Sequence, residues 1–244
     1  MYQDILTIAV VPVFAFFAIY WMWFQGEVDG SRLIAKNSMK QQKFNIILVL
    51  VAAFIVKAIL AVKNEGYSVD ITCFRSWSET VFTGGLSHFY EGDVTDYPPG
   101  YMLVLWLVAA IRHLFNIDNY STTGLFMIKL FPMLFDLAAA YLIYVMAKKR
   151  FSEGMSLMLS ALYALNPAVV IDSSVWGQVD GALCCMVLLT CYLFMEEKRI
   201  LAYFAFCAGV LLKPQMVMFA PIIIYSIIEQ VFLHDFNTKK MLRD

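Results

Sequence analysis

The chain has 244 residues, 61% of them hydrophobic and 15% charged, with a formal net charge of −1. A mean hydropathy of +0.70, with apolar runs near ~20 residues, excludes a water-soluble core and predicts an all-α integral membrane protein. Cys184, Cys185, Cys191 and Cys207 fall in apolar segments and Cys73 in a polar one, so no disulfide framework is expected.

Residues 5–24 form an unbroken apolar run preceded by an acid and no base, which reads as a retained span and not a secretory leader. The loop behind it carries Arg32, Lys36, Lys40 and Lys43, which puts that loop in the cytoplasm and the N-terminus outside. Residues 44–62 lead back outward, and Lys57 within them either snorkels or faces a polar cavity. Residues 67–101 then read as one non-helical polar stretch on the outer face, holding Asp70, Glu79, Glu91, Asp93, Asp96 and a Pro-Pro pair. Asp96-Tyr97-Pro98-Pro99 is stiff, because each proline fixes its own φ and biases its predecessor away from the helix.

Residues 102–115 are apolar but short, with Arg112-His113 near their end, and read as an interfacial or re-entrant helix. Counting them as a crossing would put Lys148-Lys149-Arg150, after the span at 125–147, on the wrong side. The first outer loop therefore runs over about 63–124. Residues 155–171 go out, 172–181 form a second polar stretch, and 182–195 return to Glu196-Glu197-Lys198-Arg199. The apolar block 200–232 is split at Lys213-Pro214-Gln215, which leaves Lys239, Lys240 and Arg243 inside. The expectation is about seven transmembrane helices with a large first outer loop containing interfacial helices. It divides into an extra span and basic loop (1–43), a transmembrane module (44–233) and a cytoplasmic tail (234–244).

In this arrangement three separated polar motifs meet on the outer face: Asp70 with Asp96, Trp176 with Gln178 and Asp180, and Lys213 with Gln215. Ionisable groups at membrane depth are costly and usually functional. Each motif also has a plainer account: Asp70 as a solvated loop acid, Asp180 as a helix N-cap, Lys213 as a snorkelling anchor, Trp176 as interfacial belt.

The order Asp70, Arg75-x-Trp77, Asp96-Tyr97-Pro98-Pro99, Trp176-Gly177-Gln178-x-Asp180, Lys213-Pro214-Gln215 resembles the polytopic glycosyltransferases of the GT-C superfamily. It is most similar to the lipid-linked-oligosaccharide glucosyltransferases and their bacterial relatives. The resemblance covers about residues 44–225, the front half of that family's pattern, so a fragment or an unusually short member is expected. It implies a catalytic acid at Asp70 and contacts to donor or acceptor at Arg75, Trp77, Asp96, Tyr97, Trp176, Gln178, Asp180, Lys213 and Gln215.

The implied reaction moves a sugar from a polyprenyl-phosphate carrier to a glycan or lipid-linked acceptor on the non-cytoplasmic face of a bacterial plasma membrane or of the endoplasmic reticulum. Phosphate is a good leaving group, so the chemistry needs a base for the acceptor hydroxyl and positive charge for the departing phosphate. Asp70 is the expected base, with inversion at the anomeric carbon. Lys213 is the expected phosphate contact and Arg75 the second choice. No tightly bound cofactor or metal and no nucleic-acid partner are expected, since no His/Cys cluster is present. Other classes compatible with the residues are a transporter or flippase half with a discontinuous helix at Lys213-Pro214, a non-catalytic scaffold, and an inactive fragment of the transferase. No inverted repeat supports the transporter.

Overall fold

A computed structural model describes residues 39–92 and 95–229, and all the regular structure among them is helical. The expected span at 5–24, most of the basic loop behind it and the tail at 234–244 lie outside the described residues.

Helix α1 (Met39–Lys63) shows how hydropathy and packing divide one helix. Ala53, Lys57 and Ala61 recur every four residues and are fully buried, while Phe44, Leu48, Val51, Ile55, Ile59 and Val62 are exposed on the other face. An exposed apolar stripe of this kind suits a hydrocarbon surround. Helix α4 (Thr122–Ala147) is the central strut, packing against α1, α5 and α7. Ser121 caps it by accepting a hydrogen bond from the Gly124 amide at 3.0 Å. Where α1, α4 and α5 meet, the contact is made by Ala53, Ala140 and Ala164, small residues that allow close approach of apolar helices.

The stretch 67–101 is not the non-helical loop that its composition suggests. Ser68–Gly92 is a helix, α2, kinked at Gly85, whose φ of 76° only glycine adopts without strain. The reason lies in its spacing. Ile71, Phe74, Ser78 and Val81 are all buried, a helical period that the acids and aromatics between them obscure. Among the described residues, 95–98 are non-helical, with Pro98 extended, before Pro99 opens α3 (Pro99–Leu114) at a first-turn position, where its missing N–H costs nothing. The aromatic and aliphatic core of this part is shared by α2, α3 and α4, through Phe74, Phe89, Tyr101, Leu105, Leu125 and Ile128.

Helix α5 (Glu153–Ala164) also departs from expectation. It does not run on to residue 171 but stops before Asn166-Pro167. The chain resumes as α6 (Pro167–Val170) and the π-helical Ile171–Trp176, bent by 47° from α5. Proline cannot continue a helix from the preceding turn, and Asn166 caps the new start by accepting from the Ala168 amide at 2.9 Å. Gly177, at φ 90°, ends the π turn in the left-handed region, with its amide bonded to the Asp172 carbonyl at 2.9 Å. The second polar stretch is thus largely helical.

Helices α7 (Asp180–Met195) and α8 (Arg199–Leu212) form an antiparallel pair. The block after them breaks at Lys213, which is extended, and continues as a 3-10 turn (Pro214–Phe219) and α9 (Ala220–Ile228). Among the described residues two helices, at Gln42–Lys63 and Thr122–Ala147, are long and apolar enough to cross a membrane, or three if the bent α5–α6 pair is one span.

Candidate functional site

The three polar motifs converge on one cavity of about 530 Å³, within the range of small-molecule sites. Asp70, Trp77, Asp96, Gln178, Lys213 and Gln215 all face it. They come from the first turn of α2, the extended corner before α3, the turn after the π helix and the break after α8. All but Trp77, which projects from within α2, emerge where a helix begins, ends or breaks, which lets side chains distant in sequence converge.

Asp70 is held from across the fold. Its Oδ2 accepts from the Trp176 indole Nε1 at 2.8 Å and from the Gln178 Nε2 at 3.0 Å, and Oδ1 carries neither bond. Gln178 is itself oriented, because its Oε1 accepts from the Tyr97 hydroxyl at 2.9 Å and from the Val179 amide at 2.9 Å. The amide nitrogen therefore has to point at Asp70. Burial, and secondarily the negative charge of Asp70, pushes the Tyr97 hydroxyl well above its ordinary range, so it stays a donor in this chain.

An aromatic wall backs the carboxylate. Phe74 lies 5.8 Å from Trp77 and from Tyr97, and Trp77 lies 5.7 Å from Tyr97, in tilted or edge-on arrangements. Trp176, given by the sequence an alternative as membrane belt, donates to Asp70 and lies 5.1 Å from Tyr67.

Lys213 is buried and forms an ion pair with the half-exposed Asp180, with the Tyr97 ring centroid 5.9 Å from its Nζ. It is not a snorkelling anchor, since its ammonium is drawn into the protein by that carboxylate. Nor is Asp180 the N-cap of α7. Val179 occupies the cap position without a side-chain bond, and Asp180 is the first helical residue. Arg75 is not part of the cavity wall. One position past Phe74 on α2, its guanidinium lies 5.2 Å from the Tyr120 ring centroid.

The groups that brace this site lie outside the five spaced motifs. Lys57 is fully buried and donates to Asp136 at 2.7 Å, to the Ser173 hydroxyl at 3.1 Å and to the Val169 carbonyl at 3.2 Å. This settles its two readings in favour of the interior. Lys129, also fully buried, donates to four main-chain carbonyls. The signal was available: Lys129 and Asp136 are seven residues apart on one face of an apolar span, where ionisable groups are costly. On the flank of α2, Glu79 bonds the buried Arg112 and sits 3.0 Å from His113. Burial raises the Glu79 carboxyl, but the hydrogen bonds from His113 and Arg112 outweigh it and hold the group below its ordinary value.

Comparison with known proteins matches residues 96–242, more than half of the chain, to the family described as dolichyl-phosphate-mannose-protein mannosyltransferase. The matched region opens at Asp96, so Asp70, Arg75 and Trp77 lie ahead of it. A relative in Saccharomyces cerevisiae (strain ATCC 204508 / S288c), GPI mannosyltransferase 1, is 26% identical over 128 residues. That alignment covers 50% of this chain and 29% of the yeast protein, so the matched part is under a third of that relative's length. No solved structure matches the chain.

Proposed function

Because the chain belongs to the dolichyl-phosphate-mannose-protein mannosyltransferase family, within the GT-C superfamily of membrane glycosyltransferases, we propose that it carries the acid-bearing face of an inverting transferase. The donor is a hexose on a polyprenyl phosphate, and the acceptor is a hydroxyl of a glycan or of a lipid-linked glycan. The observation that carries this is the state of Asp70: one carboxylate oxygen is fixed by Trp176 and Gln178, at a cavity whose wall also includes a buried lysine.

In the proposed reaction the acceptor oxygen attacks the anomeric carbon while its proton passes to Asp70. The bond from that carbon to the phosphate oxygen breaks, and its electron pair leaves with the polyprenyl phosphate. Lys213 receives the phosphate, exchanging its contact with Asp180 for one with the departing oxygens. The Phe74, Trp77 and Tyr97 wall supports the apolar faces of the sugar, while Asp96 and Gln215 are placed to bond its hydroxyls. Arg75, outside the wall, is left without a direct part in the phosphate contact. The proposal retains seven crossings with this cavity on the non-cytoplasmic face and α3 lying along the membrane surface, as the distribution of basic residues favours.

The test is Asp70→Asn in the complete protein, assayed for glycosyl transfer from a polyprenyl-phosphate hexose. Asparagine keeps size and hydrogen-bonding capacity but cannot take a proton. Turnover is expected to fall on the order of 10²–10⁴-fold with donor KM little changed. Retention of most of the turnover would falsify the assignment of the base, and a loss confined to Asp96→Asn would move it to that carboxylate.

A further inference from the structure

Two halves of the candidate site arrive by separate routes. Asp70 follows the turn after α1, while Trp176 ends the π-helical segment and Gln178 follows it, more than a hundred residues later. Both routes begin at a helix C-terminus, where the last carbonyls lack intrahelical donors. At the same place the main chains touch: the Tyr67 amide donates to the Trp176 carbonyl at 2.9 Å.

Lys129 enters this junction from α4. Its ammonium donates to the Asn64 carbonyl at 2.7 Å and the Ala61 carbonyl at 3.4 Å, at the end of α1. It also donates to the Ser174 and Val175 carbonyls at 3.0 and 3.2 Å, at the end of the π helix. All four of these partners are main-chain carbonyls. A buried cation without a carboxylate is costly unless oriented dipoles offset it, and two helix C-termini supply them. The stem of the same side chain packs below Gly177, where a built Cβ would come 3.4 Å from Lys129 Cγ and Cε.

One turn deeper, Lys57 reaches the Val169 carbonyl in α6 and the Ser173 hydroxyl early in the π-helical segment while paired with Asp136 on α4. The chain from α6 through the π-helical segment is thus held by two amines. The grip at Lys129 also includes the strand of chain that leads to Asp70.

We propose that Lys129 is a positioning residue that caps the C-terminal ends of α1 and of the π-helical segment together, and so holds Trp176 and Gln178 in register with Asp70. It is not among the residues that line the cavity, and it acts through the two backbones it joins. The catalytic consequence rests on Asp70 being the base, whereas the geometric consequence does not.

The test follows both in the complete protein labelled with 5-fluorotryptophan, the Trp176 resonance being assigned with Trp176→Phe. In Lys129→Met the Trp176 resonance is expected to move in the direction seen in Asp70→Ala, with those of Trp77 and Trp106 in place. Turnover is expected to fall about 100-fold, the scale of an ångström-sized misplacement, with donor KM within about twofold. Lys129→Gln, which retains N–H donors but neither the reach nor the charge, is measured beside it and is expected to give the same pattern. A Trp176 resonance that stays put in a folded variant overturns the proposal, as does failure of both variants to fold, which would assign Lys129 to the fold alone. Should Asp70→Asn keep its turnover, the base assignment falls and the fluorine comparison still decides the positioning.

Discussion

The two polar clusters attached to the π-helical segment are built on opposite terms. Facing the cavity, Asp70 is held by an indole and an amide, both neutral donors, and the cavity leaves room beside it. Facing the membrane helices, Lys57, Asp136 and Lys129 are fully charged types with almost no exposure, and every partner is internal. Neutral donors fix the orientation of one carboxylate oxygen without a full counter-charge bonded to it, which suits the base role proposed above. Full charges buried in apolar surroundings tolerate few arrangements, because a displaced partner leaves an uncompensated charge. Rigidity is therefore concentrated beneath the site and adaptability within it.

The sharpest way to break this contrast is Asp136→Leu, which strands the Lys57 ammonium between α1, α4 and the π segment. The expected cost is about 3–5 kcal/mol of stability, read as a large loss of thermal midpoint in detergent. Combining it with Lys57→Met is expected to recover most of that loss. A double variant no better than Asp136→Leu would show that the pair is not a unit.

A smaller effect is expected at the cavity. Lys213→Met keeps length and removes the cation that the lipid phosphate would meet, and donor affinity is expected to fall by roughly 1.5–3 kcal/mol while the fold survives. Unchanged donor saturation would leave Lys213 as the structural partner of Asp180 and nothing more.

The smallest effect is expected on the flank, where Glu79 ties α2 to Arg112 and His113 of α3. Its carboxyl is held below the ordinary value of 4.5, so its contribution is present above that pH and is lost as the pH falls through the lower folded value. Glu79→Gln is expected to lower the thermal midpoint slightly at neutral pH and to match the unsubstituted protein at strongly acid pH. A difference that persists undiminished into acid would mean that packing, not charge, links the two helices.

Much of this was legible in advance, and the misses have distinct causes. Lys213-Pro214-Gln215 marked a break in an otherwise apolar block, and the structure breaks there, because proline denies the preceding turn its hydrogen bond. Asp96-Tyr97-Pro98-Pro99 announced an extended corner for the same reason. Residues 68–92 look like loop by composition, with their acids and aromatics, while the helical period is carried only by Ile71, Phe74, Ser78 and Val81. The roles of Lys57, Lys129 and Asp136 were hidden because their partners lie far off in sequence, 79 residues between Lys57 and Asp136 and 45 between Lys129 and Ser174.

From the sequence alone came the membrane class, the long apolar helices α1 and α4, the rigid corner and the superfamily membership suggested by five spaced motifs. Those are properties of neighbouring residues: hydropathy, periodicity and the fixed dihedral of proline act over a few turns of chain. Only the tertiary structure decided that Trp176 and Gln178 take the same oxygen of Asp70, that Asp180 answers Lys213 instead of capping its own helix, and that a lysine joins two helix ends. Such contacts depend on how helices distant in sequence cross one another, and no local preference encodes a hydrogen bond between residues 106 or 108 positions apart.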